Sequence, residues 1–163
     1  MAGLLVLAFI LPLPFLRPVE RTNQAAWSQL LAAFTERGVM VTGVHPRCQE
    51  PSLYGLYVRG SRTVVVCPRG DQSSTLRHEG WHLVQSLCLG GRPWLSPEQT
   101  EQRLTRTDRR ELQALVQPDR RPREAEARAM ANLSVDDYLQ ELNRACAERL
   151  AAPSGSAQSE RQE

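Results

Sequence analysis

Two of the chain's three histidines, His78 and His82, stand four residues apart with Glu79 beside the first. They lie in the run Leu76-Arg77-His78-Glu79-Gly80-Trp81-His82-Leu83-Val84-Gln85. On a helix that spacing sets both imidazoles on one face, one turn apart, where two nitrogens can reach one tetrahedral ion. The flanks favour a helix. Asp71 to Ser74 offer N-cap residues, Gly90-Gly91 closes the far end, and about 15 residues lie between them. Leu76, Leu83 and Leu87 form one apolar side and Trp81, Val84 and Cys88 another, so this helix is expected near the centre of the fold. Polar groups placed there need partners, which the rest of the chain has to supply. Chance would give the pattern roughly 0.004 times in a chain of this composition, which makes it a site rather than a coincidence.

The remaining elements follow from periodicity. Asn23 to Arg37 carries Trp27, Leu30, Leu31 and Phe34 at helical spacing and stops at Gly38. Residues 39–44, 53–58 and 63–67 are strand-like, and Arg59-Gly60-Ser61-Arg62 joins the last two as a hairpin. Glu98 to Val116 reads as one helix with sparse apolar contacts, and Pro122 to Asn132 as a short alanine-rich helix. Ser134 caps a last helix with Val135, Tyr138, Leu139, Leu142 and Cys146 on its inner face. The expected class is α+β, a small antiparallel or mixed sheet packed on the His78–His82 helix with further helices C-terminal to it. The domain is placed at residues 21–151, between an apolar segment at 1–20 and a Pro-, Ser-, Gly- and Gln-rich tail at 152–163 expected to be disordered.

Residues 3–16 carry no charge, and their length suits a signal-peptide core and is short for a membrane span. No arginine precedes them and Pro12 and Pro14 interrupt them, which keeps open an apolar arm packed on the domain. Export or membrane association through residues 3–16 is the expectation. The four cysteines fit it, because an even set in an exported chain forms disulfides. Cys48 with Cys67 and Cys88 with Cys146 is the preferred pairing, since each bond then ties neighbouring elements. There is no C-x-x-C pair for a cysteine-only zinc site. All 20 basic residues are arginine, but acids are interleaved and the net charge is only +2, which argues against a nucleic-acid partner.

A catalytic zinc takes three protein ligands and keeps one position open. Cys88 occupies the place of the third histidine of H-E-x-x-H-x-x-G-x-x-H, Gln85 occupies the place of its glycine, and no histidine follows His82. The third ligand is therefore expected to be a carboxylate from the segment Arg123 to Ala131. Glu124 and Glu126 lie about 200° apart on a helix, so at most one faces the metal. Glu124 shares its stripe with Ala127 and Ala131, small residues suited to close helix contact. Glu126 shares its stripe with Met130 and Leu133, which serve equally as a core face. Glu124 is preferred and Glu126 stays open. Glu79 is about 100° around the helix from His78 and is placed to act on water as a general base. His45, between Val44 and Pro46, reads as a loop residue.

With these pieces the chain resembles the gluzincin class of zinc metallopeptidases over roughly residues 50 to 150. The matching features are the helix of His78 to His82, the glutamate-bearing helix of Glu124-Ala125-Glu126-Ala127, and the hairpin of Tyr54 to Cys67 before the first helix. The chain is also similar to short, minimal zincin-like proteins. The resemblance implies one Zn2+ held by His78, His82 and Glu124, Glu79 as catalytic base, and hydrolysis of a peptide or protein substrate bound along a hairpin strand. Arg128 departs from it, standing where the E-x-x-A-D pattern has its acid. Tyr138, Tyr57 and Arg92 are open candidates for stabilising the oxyanion. The rival expectation is an inactive zinc-binding scaffold.

Overall fold

The computed structural model describes residues 18–150, so the apolar run at 3–16 and the tail at 152–163 lie outside the described residues. The first helix, α1 (Pro18–Glu36), begins earlier than its apolar periodicity and turns Leu30 and Phe34 inward. It stops at Gly38, whose φ of +68° reverses the chain without steric cost.

Three short strands follow, β1 (Met40–Thr42), β2 (Gly55–Val58) and β3 (Thr63–Val66). The sheet order is β1-β3-β2, with β1 parallel and β2 antiparallel to β3. The middle strand is the β-branched run Thr63-Val64-Val65-Val66, whose three valines are all buried. β2 is left with one free edge.

Next comes α2 (Gln72–Leu87), where the Asp71 carboxylate accepts from Ser74 N at 3.0 Å and caps the first turn. Leu76, Gly80, Trp81, Leu83, Val84 and Gln85 are buried, as a central helix requires. Gly80 is dictated by packing: a Cβ there would lie 3.0 Å from Cε1 and 2.9 Å from Cε2 of Phe34, and nearer still to Cζ.

The stretch expected as one helix over 98–116 is two, α3 (Pro97–Arg103) and α4 (Arg106–Leu115). Leu104 and Thr105 are extended, with ψ of 136° and 166°. The physical reason is a second start signal: Thr105 and Asp108 form a capping box, as Ser96 and Gln99 do for α3. A side chain that caps a new helix cannot also continue the old one.

Two more helices, α5 (Arg121–Ala131) and α6 (Val135–Leu150), complete an α+β fold of six α-helices and one mixed sheet among the described residues. Ala127, Ala129 and Ala131 of α5 are buried, and the small side chains let it approach α2 closely. Tyr138 of α6 packs edge-on to Trp81 at 5.9 Å and donates its hydroxyl to Arg77 O. Disulfides join Cys48 to Cys67 and Cys88 to Cys146, the expected pairing. Both belong to an oxidising compartment, such as an exported protein meets. No described helix is long and apolar enough to cross a membrane.

Candidate metal centre

Three side chains meet where α2 and α5 face each other. Nε2 of His78 lies 3.3 Å from one Glu124 carboxylate oxygen, and Nε2 of His82 lies 3.1 Å from the other. The two rings are edge to face, 4.9 Å between centroids. One ligand atom from each of the three residues falls within 4.8 Å of the others, a group that could hold a metal ion. The expected choice of Glu124 agrees with this placement, and its alanine stripe is what brings α5 near enough.

Glu126 is not at this group. It is 3% exposed and accepts four hydrogen bonds: from Trp81 Nε1 at 2.8 Å, Gln85 Nε2 at 3.0 Å, Trp94 N at 2.7 Å and Leu95 N at 3.1 Å. Its carboxylate holds the motif's own tryptophan and the segment after α2 in place, a structural task. Two residues on one helix, pointing about 200° apart, thus divide between the site and the core.

The orientation of His82 is set by Gln85, which in sequence is visible only as a residue standing where the longer histidine motif has glycine. Gln85 Nε2 donates to Arg123 O at 2.9 Å and to Glu126, so its amide oxygen is the atom 2.9 Å from His82 Nδ1. Nδ1 must therefore carry a hydrogen, and in the neutral ring Nε2 presents its lone pair toward Glu124. A lone pair and a carboxylate oxygen 3.1 Å apart repel each other unless positive charge sits between them. Without a metal that charge is a proton. Burial opposes a charged His82, but hydrogen bonds to Glu124 and Gln85 outweigh it and raise the pKa above the ordinary imidazole value. Burial likewise favours a neutral Glu124, yet hydrogen bonds from His78 and His82 hold the carboxyl well below the usual range.

Arg128, in the place of the expected acid, donates Nε to Glu124 at 3.2 Å. It is itself held by Glu111 at 2.6 Å and lies 3.6 Å from Asp108, both on α4. A cation thus orients the ligand carboxylate where the resemblance implies an acid orienting a histidine.

Glu79 lies beside the group, with an oxygen 4.0 Å from His78 Nε2. Its other oxygen accepts from the backbone N–H of Tyr57 at 2.9 Å. β2 can come this close only because residue 55 is glycine: a Cβ there would lie 2.6 Å from Thr75 Cγ2 and 3.1 Å from Glu79 Cγ. In the antiparallel pairing, Leu56 and Val58 direct their amides to β3, so Gly55 and Tyr57 direct theirs to the free edge.

A cleft runs along that edge on both sides of the site. One lobe, about 460 Å³, lies between β2 and the α4–α5 junction. The other, about 360 Å³, lies between Tyr54 and Arg128. Gly55, Glu79 and Glu124 line both lobes. Of the oxyanion candidates, only Tyr57 lines the cleft. Tyr138 is fully buried against Arg77 O, and Arg92 turns back to Leu89 O at 3.3 Å. His45 caps a 3-10 turn at Pro46–Gln49 and takes no part in the site.

In comparisons with family models, with curated proteins and with solved structures, nothing matches the chain.

Proposed function

We propose that the chain is a small, exported, zinc-dependent metallopeptidase of gluzincin type, with a minimal zincin-like domain. The observation that carries this reading is the fixed His82 tautomer: a ring nitrogen with its lone pair aimed at a carboxylate, with a second ring nitrogen beside it, is a site built for a cation. Two imidazoles and one carboxylate suit zinc among divalent ions. The three groups stand near enough to share one ion: each ring nitrogen lies 3.1 or 3.3 Å from a different oxygen of Glu124, and one ligand atom from each residue falls within 4.8 Å of the other two.

Bound by His78, His82 and Glu124, zinc would polarise the substrate carbonyl and acidify water. The chain's own residues supply the rest. The Tyr57 amide fixes one oxygen of Glu79 and leaves the other free to take a proton from water and return it to the departing amine. The free edge of β2 offers the Gly55 N–H and the Gly55 and Tyr57 carbonyls to an extended peptide, which would lie across Glu79 with its two halves in the two lobes.

The rival reading, a zinc-holding scaffold without activity, is favoured by Arg128, whose hydrogen bond draws charge from the ligand carboxylate. Glu79→Gln separates the two. On the peptidase reading the variant binds zinc like the wild type and loses cleavage of a mixed peptide library by about 10²- to 10⁴-fold. Equal zinc content with no cleavage by the wild-type chain would establish the scaffold.

A further inference from the structure

The two lobes of the cleft differ in charge. On the Tyr54 side every ionic group is matched: Arg128 is engaged by Glu111, Asp108 and Glu124. On the other side three arginines, Arg59, Arg120 and Arg123, line the wall, and the only acids among the lining residues are Glu79 and Glu124. Those two are committed to the site, and with a dication bound their charges cancel against it. Among the described residues, neither Arg59 nor Arg120 has a carboxylate within ion-pair reach, and both are exposed. Arg123 is pinned by its hydrogen bonds to His82 O at 2.9 Å and Ser86 Oγ at 2.8 Å, neither of them charged. Leu115, 76% exposed, adds an apolar wall to the same lobe.

From these positions we infer that the arginine lobe recognises a carboxylate on the substrate to one side of the scissile bond. This rests on the metallopeptidase reading for the words "scissile bond", but the recognition stands on the three guanidiniums alone. Arginine pairs with carboxylates through a planar fork of donors, and guanidiniums on one wall without carboxylate partners leave that fork open to a ligand. The carboxylate comes from an aspartate or glutamate side chain, or from the free C-terminus of a short peptide. The chemistry is the same for both, and the reach of the lobe from Glu79 puts it within a few residues of the bond to be cut.

The test uses the full-length, zinc-loaded Glu79→Gln chain and fluorescein-labelled ten-residue peptides. One peptide series moves a single glutamate through a neutral sequence. A second carries glutamine in its place, and each is made as free acid and as C-terminal amide. Anisotropy titrations at low salt are expected to show tighter binding for glutamate at one position, or for the free acid, on the order of tenfold. The position of the gain tells an internal side chain from a terminus. Arg59→Ala/Arg120→Ala removes the gain without changing zinc content, and Arg120→Gln alone reduces it should the double variant fold poorly. Glutamate and glutamine peptides that bind alike at every position and terminus overturn the inference, as does a gain that survives the arginine variants. Preferential binding with no cleavage by the wild-type chain would leave this inference standing and remove the peptidase reading. Cleavage indifferent to acidic residues would do the reverse.

Discussion

Gln85 shares its amide among His82, Arg123 and Glu126, and only the bond to His82 acts at the site. Gln85→Met keeps the volume and removes the acceptor. It is expected to weaken zinc binding by about 10- to 100-fold in competition with a chromophoric chelator. Protons compete for the same place. The raised pKa of His82 means that zinc release on acidification starts at a higher pH than an ordinary imidazole would give, which a pH series of the same titration reads. In metal-free chain the signs are opposite for the two partners. The His82 contribution to stability is complete below the unfolded imidazole value of about 6.5 and fades as pH rises through its raised folded value. The Glu124 contribution is present above the unfolded carboxyl value and fades as pH falls through its depressed one. Both are present together from about pH 4.5 to 6.5, so denaturant midpoints of metal-free chain should be highest there, all else equal. Of these residues His78, Glu79 and His82 were legible in the sequence because their geometry is local to one helix. Glu124 was legible through its alanine stripe. The partners of Glu126 were not, since the amides of Trp94 and Leu95 reach it from more than thirty positions away.

Among the elements, α2 carries both histidines of the candidate site and the densest part of the core. Gly80 sits between those duties. Alanine there should gain about 1 kcal/mol of helix propensity and lose more against the Phe34 ring, because overfilling a packed contact costs about 1–3 kcal/mol. Urea unfolding of Gly80→Ala is expected to show a net loss of stability with the zinc affinity kept. A higher midpoint would mean that α1 shifts freely on α2. The helices and strands themselves were mostly readable from periodicity, because each buries a single apolar face. The break between α3 and α4 is marked in the sequence only by Thr105 and Asp108, which form a capping box. A sparse apolar pattern spoke for continuity, and the cap bonds of two residues decided against it. That β2 forms the edge beside the site follows from the parallel pairing of β1 with β3, which no local pattern in the strands encodes.

For the molecule as a whole, the two disulfides do different work. Cys48–Cys67 closes 19 positions and Cys88–Cys146 closes 58. Loop-entropy estimates give about 3 and about 4 kcal/mol respectively. Removing Cys88–Cys146 with a pair of serines should therefore lower the denaturation midpoint more. On the proposed peptidase reading, removing Cys48–Cys67 should lower the rate of peptide cleavage more, because that bond anchors the chain leading into β2, where Tyr57 meets Glu79. The pairing was legible because each bond joins segments that the fold had to bring together anyway.

The back-to-back acids of α5 have a final consequence. A slip of that helix by a single position would swing both carboxylates through about 100°, stranding the imidazoles and the indole of Trp81 in the same motion. If the group holds a metal as proposed, replacing a histidine would abolish the site while keeping the architecture, whereas an insertion or deletion inside α5 would undo the site and the packing of the body together.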